Sequence, residues 1–134
     1  MKVFLDTNVL ISAFTTRGLS ADLFRLRLAE HELMTGEVNL VEFRRVLQQR
    51  FGVPNVEIGF AETLLREQTV VPEPKELPEF PVRDPDDLWV LASAVSGDAD
   101  LLVTGDKDLL VVAAEAPVRI LGPRACWEEL RRRP

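Results

Sequence analysis

The chain has 134 residues, 46% of them hydrophobic and 28% charged, which predicts one folded domain over residues 1–134. Its apolar runs are shorter than the roughly 18 residues that a membrane span needs, and its single cysteine excludes an internal disulfide, so we expect a cytoplasmic protein. The net charge of −6 disfavours a nucleic-acid partner, because phosphate binding needs positive charge.

The first half of the chain begins with an apolar run and continues with helical segments. A buried strand is predicted at residues 2–5, helices at 8–14 and 20–29, and a weak strand at 32–34. Helical periodicity over residues 37–49 places Leu40, Phe43 and Leu47 on one face, and the turn at residues 51–54 ends that helix. A further helix over 56–68 leads into the apolar stretch 69–71.

Residues 72–81 read PEPKELPEFP. Four prolines in ten residues exclude a regular helix and predict an extended crossing of the surface. Beyond it we predict a helix at 86–96, a strong strand at 100–104, a short helix at 107–114, a strand at 118–121 and a last helix at 123–132. Strands that alternate with helices favour an α/β fold, in which a parallel sheet is covered on both faces to give a three-layer sandwich.

Acids follow the two most apolar strands. Asp6 comes directly after residues 3–5, and Asp106 follows residues 101–105. Ligands of open parallel sheets bind beyond the carboxyl ends of the strands, where the strand order reverses. If the two strands are neighbours, both carboxylates can reach one ion.

Two further acids lie on predicted helices, near their apolar faces. Glu42 shares a row with Val38 and Val46, and Asp87 shares one with Leu91. A carboxylate near a dry face is costly without a cation. With one histidine and one cysteine in the chain, a clustered His/Cys zinc site is excluded, and oxygen ligands favour Mg²⁺ or Mn²⁺. The predicted site comprises Asp6, Glu42, Asp87 and Asp106.

Structural roles remain open for several of these polar residues. Asp6 could hydrogen-bond the turn after its strand, and we favour Asn8 as the N-cap of the next helix. The DPDD segment at residues 84–87 has the form of an ordinary helix start, with a cap, a proline and acids that complement the dipole. Asp106 could likewise cap the helix at 107, with Asp108 complementing its dipole. Further site candidates are Asp108, Asp86, Asn8 and Thr104.

Three segments of the chain resemble the signatures of PIN domains. They are VFLDTNVLISA at residues 3–13, DPDD running into LASA at 84–94, and LVTGDKDLL at 102–110. The resemblance covers nearly the whole chain, and its closest subgroup is the VapC-like toxins of prokaryotic toxin–antitoxin modules. The helix that carries Glu42 fits the family's second acid more loosely.

The resemblance implies a central five-stranded parallel sheet and a Mg²⁺- or Mn²⁺-dependent endoribonuclease. It also implies an RNA substrate, an antitoxin protein as partner and a homodimer. Within the site, it implies that Asp6 contacts the essential ion, with Asp87 and Asp106 beside it and Glu42 positioning water or a second ion. Thr104 would support the last loop, and Asp108 would lie outside the ligand set.

Two features depart from the family pattern. Leu88 and Trp89 follow Asp87, where relatives often carry a further polar residue, and we expect Trp89 in the core or in an interface. The overall charge is acidic, although bound cations would neutralise several acids. Arginines are concentrated at residues 44, 45, 50 and 131–133, where they could equally form solvated helix faces.

Three other functions make different demands on the sequence. A haloacid-dehalogenase-like phosphohydrolase would need an aspartate at position 8, where Asn8 stands. A response receiver would need paired acids after the first strand and a lysine after the last. The third alternative is a PIN-fold protein that binds metal or a partner without catalytic turnover, using the proline-rich segment and the two tryptophans for contacts.

Overall fold

The structure is a computed structural model that describes residues 1–16 and 31–132, with side chains as far as residue 130. The helix predicted over residues 20–29 lies outside these ranges. Within them the strands are β1 (Lys2–Leu5), β2 (Glu32–Gly36), β3 (Thr69–Val71), β4 (Leu101–Val103) and β5 (Arg119–Leu121). The α-helices are α1 (Thr7–Thr15), α2 (Glu37–Gln49), α3 (Asn55–Arg66), α4 (Pro85–Ser96), α5 (Lys107–Val111) and α6 (Pro123–Arg132).

The five strands form one parallel sheet in the order β3-β2-β1-β4-β5, which confirms the predicted α/β sandwich. β1 lies at the centre, with Val3 opposite Leu33 of β2 and opposite Leu101 of β4. The chain builds the sheet outward from β1 to β3, then crosses back to place β4 on the other side. The strand order therefore reverses between β1 and β4, where a ligand site is expected.

The two faces of the sheet bury separate hydrophobic clusters. Val3 and Leu5 face the cluster formed with α1, α2, α3 and α6, and Phe4 faces the cluster formed with α4 and α5. Successive side chains of a strand point to opposite faces, and all three of these residues are fully buried. A central parallel strand is apolar throughout for this reason.

Several boundaries differ from the predicted ones by one or two residues, and two differences are larger. The stretch 69–71 forms β3, which is too short to show a strand pattern in the sequence. The helix predicted over 107–114 ends at Val111, and a 3₁₀ turn follows at Ala113–Glu115. Ala116 is extended because the following Pro117 disfavours the α region for the residue before it.

The proline-rich segment has no helix or strand, as predicted. It is also attached to the core, because Phe80 and Val82 pack against the α4 side of the sheet. None of the helices in the described ranges has the length and apolar character required to cross a bilayer.

Candidate metal centre

Asp6 lies between the last residue of β1 and the first residue of α1. Its backbone is extended, and its Oδ1 accepts a hydrogen bond from the Thr7 N–H at 2.7 Å, so Asp6 is the N-cap of α1. The prediction that Asn8 caps this helix is wrong, because α1 begins at Thr7 and Asn8 lies inside its first turn. The site acid is thereby attached to a helix N-terminus, where the helix dipole favours negative charge.

Four donors surround the Asp6 carboxylate. Besides Thr7, Asn39 Nδ2 donates to Oδ1 at 3.1 Å, while Thr104 Oγ1 and Asn8 Nδ2 donate to Oδ2 at 2.7 and 3.4 Å. Asp6 is only 4% exposed. Burial raises its pKa to about 6 and the charges of Glu42 and Asp106 add to the rise, while the hydrogen bonds from Thr104 and Thr7 oppose it.

The loop after β4 is fastened to the same carboxylate. Thr104 Oγ1 accepts from the Asp106 N–H at 3.0 Å, and Asp106 Oδ1 accepts from the Asp108 N–H at 2.9 Å, which caps α5. Asn8 Oδ1 accepts from the Gly105 N–H at 2.9 Å. Asp106 is therefore both a helix cap and a neighbour of Asp6.

Asp87 lies on α4, which packs on the opposite face of the sheet from α1. It lies in the first turn of α4, which begins after the cap Asp84, whose carboxylate accepts from the Asp86 N–H at 3.0 Å. Asp87 is 6% exposed, and its Oδ2 has no hydrogen-bond partner among the described residues. Burial, a hydrogen bond to Asp106 and neighbouring acids raise the pKa of Asp87 to about 8.

One trio of acids is close enough to share a cation. Asp87, Asp106 and Asp108 each offer a carboxylate oxygen, and these three atoms lie within 4.8 Å of one another. Asp87 and Asp106 belong to the four acids of the predicted site, and Asp108 is one of its further candidates. Asp6 adjoins the trio, because Thr104 Oγ1 donates to Asp6 Oδ2 and accepts from the Asp106 N–H.

Glu42 lies on α2 outside this trio, with 44% of its side chain exposed. Burial raises its pKa, Arg45 lowers it from 4.0 Å away, and Asp86 raises it further. Glu42 lines a groove of about 360 Å³ between α2 and α4. Asp86 and Trp89 form part of the opposite wall, so Trp89 is half-buried at the site rather than in the core.

Two residues that contact the Asp6 carboxylate, Asn39 and Thr7, are not among the candidates that the sequence pattern indicates. Asn39 lies one turn before Phe43 on the buried side of α2, so an amide interrupts the apolar stripe. Thr7 follows the site acid directly and is buried. A polar side chain within an apolar row was the available signal for Asn39.

These residues fit a hard divalent cation. The converging donors are carboxylate oxygens, the atoms that Mg²⁺ and Mn²⁺ prefer. The buried, unpartnered Oδ2 of Asp87 is costly without a cation or a donor. Burial is the main cause of the raised pKa values of Asp6 and Asp87, and neighbouring acids add to both.

Comparisons with known proteins agree with this architecture. A family model described as PIN domain matches residues 2–108. Comparison with curated proteins gave no match.

Solved structures share the fold at low sequence identity. A chain of VapBC2 from Rickettsia felis, bound to a DNA fragment from its promoter, is 14% identical with a TM-score of 0.63, covering 91% of this chain and 98% of that one. A chain of VapBC-1 from nontypeable Haemophilus influenzae is 20% identical with a TM-score of 0.62, covering 92% and 99%. A chain of FitAB bound to the IR36 DNA fragment is 14% identical with a TM-score of 0.57, covering 90% and 94%.

Proposed function

The chain belongs to the PIN-domain family, and we propose that within this family it is a metal-dependent endoribonuclease that hydrolyses RNA phosphodiester bonds. One observation carries the proposal. Carboxylate oxygens of Asp87, Asp106 and Asp108 lie within 4.8 Å of one another, Thr104 connects Asp106 to the buried Asp6, and Asp87 Oδ2 has no partner among the described residues. We propose Mg²⁺ or Mn²⁺ as the ion and Asp6, Glu42, Asp87 and Asp106 as its principal ligands, joined by Asp108.

The bound ion would supply Lewis-acid activation of water and neutralise charge on the phosphate. The protein contributes a fixed arrangement of acids. Thr7, Thr104, Asn39 and Asn8 hold the Asp6 carboxylate, so it does not need to reorient during the reaction. Glu42 lines the groove between α2 and α4, and we propose that its carboxylate positions water or a second ion.

The acidic surface limits where RNA can bind. Arg44, Arg66 and Arg119 are each paired with a carboxylate, of Glu62, Glu37 and Glu129 respectively. Arg45 makes a longer ion pair, with Glu42 at 4.0 Å, and it lines the groove. We propose that Arg45 contacts a phosphate of the bound RNA next to the cleavage site.

We further propose that the protein is the toxin of a toxin–antitoxin pair, acting in the cytoplasm as a homodimer with an antitoxin protein as its partner. The three sequence signatures shared with VapC-like toxins support this, as does the fold shared with chains of two VapBC assemblies. Induced expression in a bacterial host should slow growth, and Asp6→Asn should remove the effect at equal protein level. Equal growth arrest by both forms would contradict a toxic nuclease activity.

Digestion of labelled RNA tests the enzyme. The purified chain should cut a mixed panel of single-stranded and structured RNAs with Mg²⁺ or Mn²⁺, and EDTA should abolish cutting. Absence of cleavage across the panel with both metals would contradict the nuclease and favour a PIN-fold protein that binds metal or a partner without turnover.

A further inference from the structure

Asn39 is a buried amide that bridges two elements of the candidate metal centre. It is 1% exposed and lies on α2, one helical turn before Glu42. Its Nδ2 donates to Asp6 Oδ1 at 3.1 Å and to Thr7 Oγ1 at 3.0 Å. Both amide protons are therefore used at the point where β1 passes into α1.

The orientation of this amide is set by its surroundings. Asp6 Oδ1 is a carboxylate oxygen and only accepts, so the NH₂ group must face it. The Asn39 Oδ1 is buried without a hydrogen-bond partner among the described residues. It also lies where a Cβ on residue 36 would come within 3.0 Å, a space that Gly36 leaves open. A buried, unpartnered oxygen is costly, so a contribution to folding stability does not explain why an asparagine stands at this position.

Thr7 extends the contact to Glu42. Because its Oγ1 accepts from Asn39, the Thr7 hydroxyl proton is free to be donated elsewhere. Thr7 and Glu42 both line the groove between α2 and α4. Hydrogen bonds therefore connect Asp6 through Asn39 to Thr7, and Thr7 shares the groove with the Glu42 carboxylate.

We propose that Asn39 is a positioning residue that holds the Asp6 carboxylate and, through the Thr7 hydroxyl, the Glu42 carboxylate in one relative orientation for a shared divalent cation. This inference rests on the proposed metal-dependent function. It assigns to α2 the role of carrying Glu42 together with the amide that aligns Asp6.

The test is the Mn²⁺ affinity of Asn39→Leu, measured by isothermal titration calorimetry. Leucine keeps the branched shape of asparagine and removes both donors. Loss of a group that orients a metal ligand costs about tenfold or more in affinity, and we expect a loss of that size. A cooperative thermal unfolding transition, measured in EDTA, establishes that the metal-free variant is folded. The matched control is Thr35→Val, which removes a buried hydroxyl donating to the Leu5 carbonyl at 3.0 Å, and its affinity should stay within about twofold of the parent.

A second variant covers the case in which Asn39→Leu does not fold. Thr7→Val is nearly isosteric and removes only the hydroxyl between Asn39 and Glu42, and it should weaken Mn²⁺ binding at least threefold (~0.7 kcal/mol). Parent-like affinity in Asn39→Leu, or in Thr7→Val if the first variant is unfolded, would overturn this inference alone. A parent that binds no Mn²⁺ would overturn the proposed function as well.

Discussion

The hydroxyl of Thr104 donates to Asp6 Oδ2 over 2.7 Å, across 98 residues of sequence. Thr104 Oγ1 also accepts from the Asp106 N–H at 3.0 Å, and Thr104 is fully buried. One side chain therefore connects the acid at the end of β1 to the acid that follows β4. The reversal of strand order between these two strands makes the contact possible.

Thr104→Val should damage both stability and catalysis. The variant keeps the side-chain volume but leaves Asp6 Oδ2 without its shortest hydrogen bond and the Asp106 N–H without its acceptor. We expect about 1–3 kcal/mol lower free energy of unfolding in urea and roughly tenfold slower RNA cleavage. Thr63→Val is the control, since that exposed hydroxyl contacts only the Gly59 carbonyl in its own helix. Equal behaviour of the two variants would show that the Thr104 bridge has no special role.

Asp87→Asn should stabilise the metal-free protein at alkaline pH. Burial and neighbouring acids raise the pKa of Asp87 from 3.8 to about 8. The stability that depends on a protonated Asp87 is therefore fully present below about pH 4, near the pKa of the unfolded chain. It is lost as the pH rises towards 8, the pKa in the folded protein. Asparagine stays neutral, so in EDTA its melting temperature should exceed the parent's by a few degrees at pH 8 (~1 kcal/mol is roughly 2–8 °C for domains of this size), with the advantage shrinking towards pH 5. An advantage that grows on acidification would contradict the assigned sign.

Metal binding should compete with protons over the same range. Ligand carboxylates must be ionised to bind a cation, and the raised pKa values of Asp87 and Asp6 lie near 8 and 6. The apparent Mn²⁺ affinity should fall about tenfold per pH unit between pH 8 and 6, and more steeply below 6. Calorimetry in two buffers of different ionisation enthalpy measures the released protons. An affinity that is flat from pH 8 to 6, without proton release, would disprove the assignment of Asp87 as a ligand.

Asp108→Asn tests whether the third acid of the trio contributes to binding. The carboxylate of Asp108 reaches within 4.8 Å of Asp87 and Asp106, so its neutralisation should weaken Mn²⁺ binding by roughly tenfold. The control is Glu115→Gln, which removes an exposed acid from the 3₁₀ turn after α5 and tests the general effect of charge. If both variants bind Mn²⁺ equally, Asp108 acts only through the dipole of α5.

The sequence predicts the positions of those site acids whose place depends only on the order of the strands and helices. Asp6 and Asp106 follow strands that are neighbours in the sheet, and Asp87 stands in an apolar row of α4, so their convergence follows from the fold. Asp108 was a further candidate in the sequence, but its closeness to Asp87 could not be predicted, because it depends on how the starts of α4 and α5 approach each other in space. The cap at Asp6 rather than Asn8 depends on where α1 begins, and both side chains are good caps.

Asn39 illustrates a second limit. An asparagine within the stripe of Leu40, Phe43 and Leu47 is compatible with a rim position or with a buried contact. Only the packing of α2 against the start of α1 decides between them. Buried polar contacts of this kind depend on distances of a few tenths of an ångström, which periodicity does not contain.

The most direct test of the central claim is the rate of RNA cleavage by Asp6→Asn in Mg²⁺, measured beside the parent on one labelled RNA. Asparagine keeps the shape of the side chain and the cap of α1 but removes the charge, and circular dichroism establishes that the variant is folded. We predict that cleavage falls by at least about 100-fold, comparable to the loss of a charge-stabilising group. A folded Asp6→Asn that cleaves RNA as fast as the parent would contradict a metal-dependent nuclease site built on Asp6.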